Sequence, residues 1–217
     1  MTPLDIAIID CGAGNLHSVR KAVASQLPEA ATLSIVTDAA ALRDATHIIL
    51  PGVGAFADCM AGFNALPGMR AALEKKVLTE GTPFLGICVG MQMLFKQGHE
   101  HGTHAGLGWF EGEVRLIAPT DASLRIPHMG WNTLQLRHAK DNFLRDIKTG
   151  DFVYFVHSYA AMQCNAAEIL ATVDYGGDIV ALIGRDNIWG TQFHPEKSQA
   201  VGLRMIRNFL LGGDDVR

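Results

Sequence analysis

Along the first ninety-five residues, short apolar runs alternate with stretches of helical spacing. Leu4 to Ile9 is an apolar run that stops at Asp10, the pattern of a short buried strand. The glycine-rich turn Cys11-Gly12-Ala13-Gly14-Asn15 follows, with Asn15 in an N-cap position. Leu16, Val19, Val23 and Leu27 then fall on one face of a helix. Leu33 to Val36 and His47 to Leu50 read as a second and a third strand. The third runs into Pro51-Gly52-Val53-Gly54-Ala55-Phe56 and a long, partly interrupted helical region reaching Leu78. A fourth apolar run, Phe84 to Ile87, ends at Cys88, and Met91, Leu94 and Phe95 take up i, i+3, i+4 spacing directly behind it. Strands alternating with helices predict a parallel sheet covered on both faces.

After Gly108 the texture changes to short β-rich runs separated by turn residues: 109–117, 133–136, 151–159, 168–173, 179–183 and 189–193. These are expected to be antiparallel or mixed strands added to the same sheet, with Ile126-Pro127-His128-Met129-Gly130-Trp131-Asn132 lying between two of them. Residues 199–211 form a closing helix with Val201, Met205, Ile206, Phe209 and Leu210 inward, and Gly212 to Arg217 are expected to fray. The fold class that results is α/β: an open, mostly parallel sheet flanked by helices, with antiparallel or mixed strands in the C-terminal half. With no internal repeat and no linker, one domain is expected over residues 1–217.

Composition narrows the function classes. The 217 residues are 48% hydrophobic and 18% charged, as in an ordinary globular protein with a large core. A net charge of −4 offers no electrostatic reason to expect nucleic acid or an anionic membrane as partner. Thr2, Pro3 and Asp5 break up any signal peptide, and no apolar run is long enough to span a bilayer. The cysteines, Cys11, Cys59, Cys88 and Cys164, are scattered, so reduced thiols in a cytoplasmic protein are expected. His99, His101 and His104 cluster within residues 97–108, but only Glu100 adds a further ligand type. A solvated surface loop is expected there, and no metal.

Three segments carry chemistry. Gly86-Ile87-Cys88-Val89-Gly90 places a nucleophile between a strand and a helix with small residues on either side, the arrangement of a nucleophile elbow. The helix start behind Cys88 would favour a thiolate. The alternative is a small core residue, the usual fate of a free cysteine. In Pro51-Gly52-Val53-Gly54, glycines directly after a strand can expose consecutive backbone N–H groups, the raw material of an oxyanion hole, or simply make a strand-to-helix turn. Both segments would lie beyond the carboxyl ends of parallel strands, where active sites of such sheets gather. Gly12 and Gly14 lack the third glycine of a dinucleotide fingerprint. Finally, His194 and Glu196 stand two residues apart in Thr191-Gln192-Phe193-His194-Pro195-Glu196 and project to one side of an extended chain. A nucleophile, an imidazole and an orienting carboxylate suffice for acyl transfer through a covalent intermediate; taken alone, His-Pro-Glu is equally a surface turn.

Residues 86–92 together with 191–196 resemble the class I (triad) glutamine amidotransferases. Residues 10–16, 51–56, 127–132, 154–159 and His194-Pro195-Glu196-Lys197-Ser198-Gln199 are similar to the branch of that family whose glutaminase subunits serve a (β/α)8-barrel cyclase in histidine biosynthesis. Cys11 departs from the tyrosine usual there. The resemblance implies L-glutamine as substrate, Cys88 as nucleophile, His194 as base and acid, and Glu196 as its orienting partner. It implies oxyanion donors from Gly52, Val53 and Val89, and glutamine held by Gly54, Gln92, His157, Ser158 and Tyr159. It further implies no cofactor, and a heterodimer with the cyclase through Asn15, Trp131 and Lys197. Rival readings are a glutaminase subunit of pyridoxal phosphate or anthranilate synthase, a Cys-His-Glu peptidase or γ-glutamyl hydrolase, and a non-catalytic interaction subunit.

Overall fold

The computed structural model describes residues 3–12, 15–138 and 140–212. The first half runs β1 (Asp5–Ile9), α1 (Leu16–Ala24), β2 (Thr32–Val36), β3 (His47–Gly52), α2 (Phe56–Asn64), α3 (Met69–Glu74), β4 (Phe84–Cys88), α4 (Val89–Gln92), β5 (Phe95–Gly98) and β6 (His104–Ala105). The second half runs β7 (Phe110–Leu116), β8 (His128–Thr133), β9 (Gln135–Leu136), β10 (Phe152–His157), β11 (Tyr159–Met162), β12 (Ile169–Asp174), β13 (Asp178–Arg185), β14 (Ile188–Thr191) and α5 (Gln199–Leu211).

The strands of the described residues form three sheets. The largest has eight strands in the order β2-β1-β3-β4-β14-β13-β12-β9. Its β2-β1-β3-β4-β14 portion is parallel, and β13, β12 and β9 continue it antiparallel. β3 and β4 are buried at every position, as befits central strands covered on both faces. β2, at the edge, is mostly exposed. The helical region after β3 breaks between α2 and α3 at Gly68, whose φ of 71° no helix interior accepts, and α3 runs on into a π-helical turn over Lys75–Thr79.

The structure revises several expectations. The helix behind Cys88 is a single turn: α4 ends at Gln92, and Phe95 opens β5. Tertiary bonds win there, because the Met93, Leu94 and Phe95 carbonyls accept from the N–H groups of Leu107, Trp109, Phe110 and Gly108 instead of from a continuing helix. α1 stops at Ala24, short of Leu27. The C-terminal strands do not all extend the main sheet. β8 pairs with β10 in a two-stranded ribbon, and β11-β7-β5-β6 make a third sheet. Residues 126–132, taken as a connection, mostly belong to β8. The run over 151–159 is two strands in different sheets, parted at Ser158. Residues 97–108 are a hairpin, β5 against β6, more than a loop. α5 matches its expected span, with Met205, Ile206, Phe209 and Leu210 buried and Val201 half-buried. It ends at Gly212 in the left-handed conformation; the expected fraying beyond it, like Ala13 and Gly14 of the first turn, lies outside the described residues. No helix among the described residues is long and apolar enough to cross a membrane.

Candidate active site

β4 delivers Cys88 to the carboxyl edge of the sheet with φ 55° and ψ −111°, a conformation that costs a non-glycine residue free energy and that packing must impose. The imposing neighbours are glycines. A Cβ on Gly90 would collide with the Leu50 carbonyl, and one on Gly86 would come within 2.7 Å of the Gly90 carbonyl oxygen. Strand and returning chain therefore lie closer than side chains permit, and the sharp turn holds the Cys88 thiol at its apex.

The partners come from the other end of the chain. His194 Nδ1 and Glu196 Oε1 are 2.8 Å apart, and both side chains are almost wholly buried. A carboxylate can only accept, so Nδ1 donates and Nε2 is left facing the nucleophile. Nε2 is buried and closes no hydrogen bond of regular geometry, yet Cys88 stands close enough to act on the charge of the ring. Burial acts to lower the His194 pKa, but Cys88 and Glu196 together outweigh it and hold the ring up at about 9. The backbone of His194 is fixed in turn: Ser198 Oγ donates to its carbonyl at 2.7 Å and accepts from Tyr154 N at 3.0 Å, while His194 N donates to the Tyr154 carbonyl at 2.9 Å.

Cys88 and His194 open into a cavity of about 600 Å3 whose walls also include Val53, Gly54, Val89, Gln92, His157, Ser158, Tyr159 and Lys197. Two of the sequence candidates stand elsewhere. Gly52 is not in the wall; it pairs with Cys88 in the β3–β4 register, behind the cavity. Asn15 is an exposed N-cap of α1, accepting from Ser18 N at 3.3 Å, and does not line the cavity. Trp131 is 46% exposed and lines a neighbouring groove. It meets the Tyr154 ring edge-on at 5.9 Å, and Lys197 Nζ lies over the same ring at 5.8 Å. Trp131 is thus a surface residue.

The binding wall is tied together by polar side chains. Gln92 Nε2 donates to the Tyr159 carbonyl at 2.9 Å and to Gln192 Oε1 at 3.0 Å. Both its amide protons are committed, so Gln92 offers the cavity only an acceptor. His157 Nδ1 is 3.0 Å from the Tyr159 carbonyl and its Nε2 is 3.0 Å from His128 Nδ1. Because a carbonyl cannot donate, the proton order is fixed: His128 donates to His157, which donates to Tyr159. Burial keeps both rings neutral, with pKa values of about 4.

Sequence reasoning missed four residues here. Gln192 is fully buried and its Nε2 lies 3.8 Å from Cys88 Sγ; it stands two residues before His194, so the period of an extended chain already put it on the catalytic side. Glu100 lines the cavity and accepts from Phe56 N at 2.8 Å, at the start of α2. Its hairpin is anchored by Glu113, which accepts from Arg115, Gln97 and His99; the Arg115 bond leads in holding that carboxyl down at about 2. His128 and Ser198 act through residues beside the cavity; both lie in segments that carry the family resemblance, but neither was given a role from the sequence. Among the described residues no group of three or more His, Cys, Asp or Glu could hold a metal, and His99 serves Glu113 instead.

Comparison with known proteins gives this geometry a family. The model of the family described as glutamine amidotransferase class-I matches residues 7–212. A Brucella abortus protein named imidazole glycerol phosphate synthase subunit HisH is 50% identical over 211 residues, covering 94% of this chain and 97% of that protein. The protein of the same name from Rhodospirillum rubrum is 49% identical over 208 residues, with the same coverage. Among solved structures, one described as a glutamine amidotransferase superposes with a TM-score of 0.70 at 20% identity, covering 94% of this chain and 96% of the other. The structure of PurLQS from Thermotoga maritima gives 0.69 at 16% identity, covering 98% and 99%; at such identities these two speak for the fold alone. An elbow cysteine facing a carboxylate-held histidine, on a chain matched over nearly its whole length by that family's model, leads to one conclusion: the chain belongs to the class I glutamine amidotransferase family.

Proposed function

We propose that this chain is the glutaminase subunit of an imidazole glycerol phosphate synthase, a single domain that hydrolyses L-glutamine and passes the ammonia to a (β/α)8-barrel cyclase in the cytoplasm. The observation that carries the chemistry is the buried His194–Glu196 pair presenting Nε2 to the strained Cys88. The relatives of about 50% identity, each named a subunit of that synthase, support the choice of substrate and partner.

Cys88, with its proton held on His194 Nε2, attacks the side-chain amide carbon of glutamine. The oxyanion that forms is held by the N–H groups of Val89 and Val53, with a rotation of the Gly52–Val53 peptide completing the pair. Each such donor is typically worth about 3–4 kcal/mol in the transition state. His194, charged at neutral pH, hands its Nε2 proton to the departing ammonia, and Glu196 holds the ring in that orientation. Water, deprotonated by the now neutral His194, then cleaves the thioester to glutamate. Glu100 suits the substrate's ammonium group, since a carboxylate at the cavity wall complements a cation; Gln92 accepts, and the 157–159 backbone positions the rest. Trp131 and Lys197, both packed against the Tyr154 ring, would meet the cyclase, and Asn15 is the third interface candidate.

The test is glutamate release from glutamine by the chain alone and with the barrel cyclase carrying its nucleotide ligand. Release that rises with the liganded cyclase is the expected result. Equal rates would remove the coupling and return the choice to the rival glutaminases.

A further inference from the structure

Two buried thiols lie beneath the Pro51–Gly54 loop, and the chemistry described above leaves both unused. Cys11 follows β1 and is 4% exposed; Cys59, in α2, is fully buried. Each reaches a different carbonyl of that loop. Cys11 Sγ is 3.9 Å from Pro51 O, and Cys59 Sγ is 3.5 Å from Val53 O. The two cysteines also touch each other, and α2 is pressed onto Cys11 so closely that a Cβ on Gly62 would collide with the Cys11 carbonyl.

The two carbonyls flank the peptide that matters. Pro51 O belongs to the Pro51–Gly52 plane and Val53 O to the Val53–Gly54 plane. Between them lies the Gly52–Val53 plane, whose N–H is the proposed oxyanion donor. On its other side that plane meets the elbow itself, since a Cβ on Gly52 would come within 2.9 Å of Gly90 N and 3.0 Å of Val89 Cβ. We infer that Cys11 and Cys59 are positioning residues that clamp the outer two peptide planes of the loop by S–H···O hydrogen bonds, so that only the Gly52–Val53 plane is free to rotate into the oxyanion site. Contact with Cys11, followed by burial, pushes the Cys59 thiol well above its ordinary pKa, so the donor keeps its proton at any working pH. A hydroxyl could make the same bond and a methyl group could not.

The inference rests on the glutaminase reading, and the experiment separates the two. Cys59→Ser and Cys59→Ala have nearly the same volume and differ in the donor. Wild type, both variants and Cys11→Ala are assayed for glutamine hydrolysis as full chains with the liganded cyclase. In parallel, hydrogen–deuterium exchange is followed in the peptide spanning Leu50 to Phe56 of the free chain. A net hydrogen bond predicts, for Cys59→Ala, a fall in kcat of about three- to tenfold with KM unchanged and a comparable rise in loop exchange. Cys59→Ser should stay within about twofold on both readouts, and Cys11→Ala, with the longer contact, should fall between. Serine and alanine behaving alike, or alanine leaving loop exchange at the wild-type rate, would overturn the clamp. Should the wild type release no glutamate while the exchange pattern holds, the glutaminase reading fails and the clamp stands.

Discussion

The two walls of the active site are built by opposite means. The nucleophile side is backbone: β4 turns at Cys88 with a positive φ because Gly86 and Gly90 let strand and helix start touch. The base side is side chains: His194 sits on extended chain beyond β14, and its placement depends on Glu196, Ser198 and the Tyr154 backbone. The first wall is fixed by steric exclusion, between Gly86 and Gly90 inside the elbow and between Gly90 and the Leu50 carbonyl of the neighbouring strand. The second depends on a bond network that joins residues more than forty positions apart. Local sterics give a rigid apex, whereas the network gives a histidine whose charge and angle can be tuned.

Breaking the first wall should cost most. Cys88→Ala removes the nucleophile, and glutamate release should fall by about 10^4-fold or more, since residues acting as one catalytic unit are lost together. Glu196→Gln leaves the elbow untouched but deprives His194 of its anion; kcat should fall by about 10^2- to 10^4-fold with glutamine KM little changed. Gly90→Ala attacks the apex through packing. Overpacking of this kind costs about 1–3 kcal/mol, more where backbone is the obstacle, so its melting temperature should drop even though no polar contact is lost. Ser198→Ala loosens the second wall alone. It strands Tyr154 N and leaves the His194 carbonyl with Lys197 N alone, and should cost about 1–3 kcal/mol of stability.

Legibility followed the same division. The elbow could be read from Gly86-Ile87-Cys88-Val89-Gly90 because the small residues that permit it lie in that segment, and the parallel sense of the strands up to β4 followed from alternating runs. The helix behind Cys88 misled, because Met91, Leu94 and Phe95 carry helical spacing while distant N–H groups capture their carbonyls. In the second half, β-rich runs located most of the strands, though not β8, and did not assign their sheets: β8 and β10 leave the main sheet, and no local pattern encodes that pairing. His194 and Glu196 were visible through their spacing. Gln192 was visible by the same rule and went unread. His128, Ser198 and Glu100 arrive from separate segments of the fold, so only the structure unites them with the site.

The effects of pH on stability differ in sign between groups. His128 and His157 have folded pKa values of about 4, below the roughly 6.5 of a free histidine, so the unfolded chain takes up protons first. Their contribution is full above about pH 6.5 and is lost as pH falls toward 4. His157→Gln should flatten that acid limb in denaturant midpoints. His194, raised to about 9, runs the other way: its contribution is full below about pH 6.5 and lost as pH rises through 9.

The most direct test of the two walls as one catalytic unit is the titration of the His194 ring by NMR in wild type, Cys88→Ala and Glu196→Gln. A wild-type pKa of about 9 that falls in each variant is expected, because sulfur and carboxylate both hold the imidazolium. A wild-type value near that of a free histidine, or one that ignores the loss of Cys88, would mean that the two walls do not meet electrostatically, and the triad would be contradicted.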